Sequence, residues 1–565
     1  MPHKLIRFIK ENRTRFWFSI LVNTLMLIFF NIFFYCRFHT VDDVFMEMIA
    51  CGAYGDPDLH LIYTNSILGF ALSMLYKITD QIPWYGIMHI IMAWISFSSI
   101  FYVFMNKKNK MLSVLVLAVL FIFSYEAYTK VQFTKTAAYL AAAGYSLIAD
   151  AIEAHNDKKK ILSGILFLWN SFMIRTGMFL GCSAVCAGMF VPMICRFIKD
   201  PGNKENKGKV YGLICAGLCS LLLVGLSFMA DKLAYSSESW SNYIRFNEFT
   251  TQFQDIYMPS YDMYEKELGS MGISKDDYRL YAATDHNDPD LFNVEVMEKV
   301  RDLQRYKTID SNEIVMFFLR GYNTIFKQRS LATYALYLVI LFLMYMCFNK
   351  HDISSLISLF YTCFATLFAF AYTYFMHGWF DRTTIAVLFA FLITILYLFD
   401  PKDSRIGLRV SFAGIALLII VSLFVWNAYA KWNMNDWKNE YDENHEVLNE
   451  IYRDKDHIYI SRTSLPLWKK YYHPYDLIPN GAMKNYSTFG DWIANTPLYL
   501  SVLNNYDISN PYKDIVNNDK AYLIGNAENL QLVEDYIRRH YYPELEFVLV
   551  KNLGPYEVYS LVSDS

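Results

Sequence analysis

Two aspartates, Asp42 and Asp43, stand side by side in the stretch HTVDDVFMEMIACGAYGDPDLH. Glu47 follows four residues after Asp43, so a helix here would place both acids on one face. Gly52, Gly55 and Pro57 would end such a helix, and His60 lies just beyond it. A carboxylate in this setting can take a proton from an attacking hydroxyl. Basic residues recur in distant segments: Lys130 and Lys135 in YEAYTKVQFTKTA, Arg175 in WNSFMIRTGMF, and His377 and Arg382 in MHGWFDRT. Arginine grips a phosphate bidentately, and lysine serves it as a point charge. Acids and bases of these types suit displacement of a phosphate by a hydroxyl, with the cations stabilising the departing charge.

Each residue also has a plainer role open to it. Asp42 and Asp43 could be solvated at a helix end, and Glu47 could serve as a cap. Lys130 and Lys135 could snorkel. Arg382 could pair with its neighbour Asp381, and His60 could be an ordinary loop histidine. Arg175 has the least room for this, because its turn is short and its neighbours are apolar.

What sets these residues in place is a membrane. Of 565 residues, 54% are hydrophobic and only 19% charged, against about 25% charged in ordinary globular domains. The net charge of −3 gives no electrostatic case for a nucleic-acid partner. Apolar runs fall near 16–36, 61–76, 84–105, 111–125, 131–152, 161–174, 177–197, 210–230, 330–348, 353–374, 383–399 and 407–428. A span needs about 20 residues, with about 17 the usual minimum. The first run follows a basic N-terminus without a small-residue cleavage site, which predicts a retained span.

Cytoplasmic loops carry an excess of Lys and Arg. The basic segments are 1–15, 106–110, 157–160, 196–209 and 400–409. All five share one side only if one run between 37 and 105 does not cross. The run 61–76 is short and flanked by Asp56, Pro57, Asp58, Asp80 and Pro83. It is read as a re-entrant or interfacial helix. The expected fold is thus mainly α-helical and polytopic, with about eleven transmembrane helices plus outer interfacial helices. The N-terminus is expected in the cytoplasm and the protein in the cell membrane. Outer loops 37–83 and 231–329 belong to a transmembrane part, 1–429. A small α/β domain, 430–565, lies outside, with helices near 438–453 and 528–540 and strands near 457–461, 521–525, 544–551 and 556–561. Neither long polar segment, 231–329 or 430–565, contains a cysteine, so disulfides are not expected there.

The retained first span, the acidic pair at the head of the first outer loop and the outer C-terminal domain resemble the GT-C class of membrane glycosyltransferases. More narrowly, DDVFMEMIACGAYGDPDLHLIYTNSILG, WYG at 84–86, VQFTKTA at 131–137, WSNYIRFNEF at 240–249 and GISKDDY at 272–278 resemble uncharacterised bacterial proteins associated with polysaccharides. The resemblance implies a sugar donor linked to polyprenyl phosphate and an outer-face acceptor: a cell-envelope polysaccharide, a teichoic-acid-like polymer or a glycolipid. Transfer would be inverting, with Asp42 or Asp43 as base. Arg175, Lys130 and Arg382 become candidates for the lipid phosphate, with His377, Glu47 and His60 beside them. No cofactor is expected; some members of the class use a divalent metal, but no ligand set is visible. Two alternatives remain: a polysaccharide polymerase or ligase working through loop arginines such as Arg245, and a transporter or flippase of lipid-linked sugars. In the C-terminal domain, Asp491 and Trp492 in STFGDWIANTP could bind an acceptor sugar, or Trp492 could pack the small core.

Overall fold

A computed structural model describes residues 2–107, 109–154, 157–251, 260–303, 311–324, 331–347, 353–377, 380–398, 407–432, 437–463, 465 and 467–564. The chain opens with α1 (Pro2–Phe33), β1 (Arg37–Phe38), α2 (Val41–Cys51), α3 (Ser66–Ile78), α4 (Trp84–Asn106), α5 (Lys110–Thr129) and β2 (Lys130–Val131). Then come α6 (Phe133–Glu153), α7 (Lys158–Ile174), α8 (Thr176–Cys186), α9 (Val191–Lys199) and α10 (Lys204–Ala234). A second polar stretch forms α11 (Glu238–Thr251), α12 (Glu265–Ser270), α13 (Lys275–Ala282), α14 (Val294–Leu303) and α15 (Ser311–Tyr322). Helices α16 (Leu331–Cys347), α17 (Ile353–His377), α18 (Asp381–Leu398) and α19 (Gly407–Trp432) return to apolar sequence.

Among the described residues, seven helices are long and apolar enough to cross a membrane: Asn12–Phe33, Trp84–Asn106, Leu112–Thr129, Thr176–Lys199, Lys204–Ala234, Ile353–Phe375 and Asp381–Leu398. Their packing grades from centre to rim. Only 11% of the most apolar stretch of α10 is buried, against 78% of that of α18. Leu218, Leu221, Leu222, Phe228 and Met229 project outward from α10. An apolar exterior around a packed interior is the arrangement that a lipid solvent selects. At the centre lies α6, whose run of Ala137, Ala138, Ala141, Ala142 and Ala143 is buried and lets α4, α7, α8 and α18 approach.

Two apolar runs differ from simple spans. The run 61–76 becomes α3, whose 13 residues are too short to cross. Its start is tied to two other helices: Asn65 N donates to Met173 O at the end of α7 (2.7 Å), and Ser66 N to Asp231 Oδ1 near the end of α10 (2.7 Å). The run 177–197 is broken by a turn of 3-10 helix at Ala187–Phe190. Ser358 Oγ of α17 donates to the Gly188 carbonyl there (2.6 Å), so a neighbouring helix satisfies the interrupted backbone. The sequence alone had shown no such break.

The two ends of the bundle differ. At one, Arg15 reaches Asn106, Lys107 donates to the carbonyl of Tyr397, Lys160 meets Asp150 (2.6 Å), and Glu153 lies between Arg196 (2.6 Å) and Lys209 (2.9 Å). The basic stretch 400–406 lies outside the described residues. At the other end, β1 pairs in parallel with β2, Arg37 opposite Lys130, and α2 follows. Gly52 closes α2 with φ +81°, a left-handed conformation that favours glycine.

The C-terminal region begins with α20 (Trp437–Arg453) and adds β3 (Ile458–Ser461), β4 (Tyr486–Thr488), α21 (Pro497–Asn504), β5 (Ala521–Gly525), α22 (Ala527–His540), β6 (Glu546–Leu553) and β7 (Tyr556–Val562). Its strands form one mixed sheet in the order β4-β3-β5-β7-β6, with β3 parallel to β4 and β5, and β7 antiparallel to β5 and β6. This domain rests on the first loop. Phe38 N donates to Tyr472 O (2.6 Å), Gly481 N to Gly52 O (2.9 Å) and Met483 N to Ala53 O (2.8 Å). The second loop joins it as well. The capping box of Ser274 and Asp277 starts α13, and beyond that helix Asp285 pairs with Arg462 (2.7 Å) and Asn287 N donates to Phe489 O (2.7 Å). A boundary at 429/430 is therefore one of sequence; in space, part of the loop 231–329 is built into the C-terminal domain.

Candidate functional site

Helix α2 begins at Val41, directly after the two-stranded β1–β2 pair, and carries Asp42 and Asp43 in its first turn. Negative charge is favoured at that position by the helix dipole. Successive helical residues point about 100° apart, so the two acids enter different surroundings. Asp43 faces inward and is fully buried. Its Oδ1 accepts from Tyr85 Oη (3.1 Å) and from the Phe133 N–H at the start of α6 (2.9 Å), and its Oδ2 accepts from Thr40 Oγ1 (3.1 Å). Burial, and then the charge of Asp42, push its carboxyl up to about 7 despite these hydrogen bonds. Glu47 shares that inward face, as the spacing predicts. It is buried, accepts from Tyr76 Oη of α3 (2.9 Å), and is held well above the usual carboxylate range by burial.

Asp42 faces the other way, and its side chain keeps 17% of its exposure. Its Oδ2 lies 3.7 Å from Arg382 at the start of α18. Its Oδ1 accepts from the indole Nε1 of Trp492 (3.2 Å), which comes from the C-terminal domain. The Trp492 ring meets Phe45 of α2 and Tyr63 edge to face, with centroids 5.5 and 5.1 Å apart. The expectation that Trp492 packs the core of its own domain is therefore corrected: the ring is part-buried against the first loop. Neighbouring Asp491 is also pushed up to about 7, by burial first.

Arg175 is the single residue between α7 and α8, and it caps both. Its guanidinium lies over Tyr63 (5.1 Å) and Phe133 (5.4 Å), two rings that stack on each other. Tyr63 thus joins Arg175 to the Trp492–Asp42 contact, and the backbone of Phe133 joins it to Asp43. Of the residues singled out in the sequence, Asp42, Asp43, Arg175 and Arg382 come together here.

The others are drawn elsewhere. Lys130 is bound to Glu126 (3.0 Å), and Lys135, fully buried, meets the other oxygen of Glu126 (2.7 Å) and the carbonyl of Lys130 (2.7 Å). That cluster holds the α5–α6 connection. His60 bridges Asp58 (2.6 Å) and the Ala234 carbonyl (3.1 Å) and stacks on Trp240, which ties the first loop to the end of α10. His377 closes α17; its side chain lies outside the described residues. Arg245 is exposed and 3.7 Å from Glu298.

Glu126 and Tyr85 were not recognised from sequence. The i,i+4 spacing of Glu126 and Lys130 signals the first; nothing local signals the second. Among the described residues, no group of three His, Cys, Asp or Glu side chains is arranged to hold a metal ion. Compared with known protein families and with curated proteins, the chain matches none.

Proposed function

We propose that this chain is a membrane glycosyltransferase of the GT-C class, moving one sugar, with inversion, from a polyprenyl-phosphate donor to an acceptor at the outer membrane face. The acceptor is a cell-envelope polysaccharide, a teichoic-acid-like polymer or a glycolipid. One observation carries the reading: of two adjacent carboxylates, Asp42 is half-open and beside Arg382, while Asp43 is sealed by three donors. The acceptor hydroxyl gives its proton to Asp42, and its oxygen bonds to the anomeric carbon. The bond from that carbon to the phosphate oxygen breaks, and the phosphate leaves with the electron pair. Arg382 and Arg175 are the cations placed to receive that charge. Asp43 anchors α2 to α4 and α6.

Eleven crossings fit this assignment. The first loop and the C-terminal domain share backbone hydrogen bonds, so they lie on one side of the membrane. An even number of crossings must separate them. The six long apolar helices after α1 leave α6, α7, α16 and α19 to complete ten crossings, with α3 not crossing. Arg15, Lys107, Lys160, Arg196 and Lys209 then gather at the opposite, cytoplasmic end.

The test is replacement of Asp42 and Asp43 by Asn, singly and together, in cells whose surface glycan is measured. Asp42→Asn is expected to abolish the glycan. A double variant that is folded, present in the membrane at normal amount and still makes the glycan at the native rate would sink the proposal. Surviving function with Asp42→Asn but loss with Arg245→Ala would favour a polymerase or ligase instead.

A further inference from the structure

We infer that Trp492 is a positioning residue for Asp42, and that the C-terminal domain thereby completes the site in the membrane part. This rests on the glycosyl-transfer reading above. Asp42 stands at a helix start, where its carboxylate can rotate. The indole N–H is a donor only, so its bond to Oδ1 (3.2 Å) fixes the plane of the carboxylate and leaves Oδ2 turned toward Arg382 (3.7 Å). A base held in one orientation spends none of its reaction on finding it.

Trp492 is itself firmly held. Its backbone N–H donates to Asp491 Oδ1 (2.8 Å), and its carbonyl accepts from Tyr243 Oη (2.9 Å). Phe45 and Tyr63 flank the ring. Gly490 lies so close to the Thr284 carbonyl that a Cβ there would overlap it. The backbone around the ring is strained. Asp491 has φ +70°, Thr284, whose carbonyl accepts from Asp491 N, has φ +65°, and Ile62, next to Tyr63, has φ +65°. Positive φ is costly for β-branched Ile and Thr, and such outliers gather where geometry is imposed for function. Three segments, from the first loop, the second loop and the C-terminal domain, accept strain around one indole.

In cells depleted of the native chain and supplied with each variant, Trp492→Phe keeps a ring and drops the N–H. Its rate of surface-glycan synthesis, per folded molecule in the membrane, is expected to fall about 10-fold or more. Trp492→His places Nε2–H where the indole N–H stood and is expected to recover part of the rate. Trp492→benzothienylalanine keeps the indole shape with sulfur in place of N–H, and is expected to fall like Trp492→Phe even if the Phe variant folds poorly. A native rate with benzothienylalanine, or no gain of His over Phe at equal unfolding temperature, overturns the inference. Asp42→Asn separates the two ideas. Glycan retained in that variant removes Asp42 as the base and the role of Trp492 with it, and retained also in the double variant removes the transferase reading itself; glycan lost in Asp42→Asn but retained in the Trp492 variants removes only the role of Trp492.

Discussion

The acids of α2 and the Glu153 cluster, at opposite ends of the bundle, hold charge in different ways. At the end marked by Lys107 and Glu153, acids are paired directly with cations: Glu153 with Arg196 and Lys209, Asp150 with Lys160. The side chains of Arg196 and Glu153 remain exposed. Such pairs contribute little individually and serve to anchor helix ends. Around α2 at the other end, Asp43 and Glu47 are buried and held by neutral donors, Tyr85, Tyr76, Thr40 and the Phe133 backbone, and part-exposed Asp42 by Trp492, whereas Glu126 nearby is closed by Lys130 and Lys135. Arg382 stands beside Asp42 without covering it. Anchoring a helix end is served by an acid and a base that cancel, whereas a general base has to be fixed and still not cancelled.

The contrast can be tested at both ends. On the proposed reading, Arg382→Gln is expected to lower glycan synthesis by about 10- to 100-fold, since the departing phosphate would lose the cation beside Asp42, while Arg196→Gln leaves the rate within about twofold; incorporation of labelled sugar into the envelope reads both. Equal effects would erase the distinction between the ends. Asp43→Asn tests burial. Because the folded-state carboxyl titrates near 7 and an unfolded one near 3.9, folding favours the protonated acid. The native chain is therefore relatively stabilised below about pH 4 and loses that advantage as pH rises through about 7, a swing of about 4 kcal/mol. Asparagine mimics the protonated acid, so the variant should unfold with a flatter pH dependence and be the more stable of the two at about pH 8. Parallel curves would refute the burial argument. The smallest effect belongs to Glu153→Gln, expected to cost about 1 kcal/mol or less in the unfolding midpoint and to leave synthesis unchanged.

What could be read from sequence was local. The helix carrying Asp42 and Asp43, its end at Gly52, the capping box at Ser274 and the strands near 458, 521, 546 and 556 follow from periodicity and turn residues. The weakness of the 61–76 run as a span was legible in its length and flanks. Strand β4 was missed because three residues carry too little pattern. The inequality of Asp42 and Asp43 was invisible because side-by-side acids look alike until the helix turns one inward. Lys130 read as a site cation because its partner Glu126 lies just past the 111–125 run, where the i,i+4 pairing holds only if the helix continues to Thr129. Trp492 stood out by type, yet its partner is 450 residues away, and no local rule joins them.

That separation bears on how the protein is made. Asp42 leaves the ribosome early, whereas the indole that fixes it arrives only after every helix of the bundle has been inserted. Throughout synthesis the acidic loop is present without its final contact. A nascent chain therefore carries Asp42 well before Trp492, and the bond between them closes only after the segment bearing Trp492 has been made.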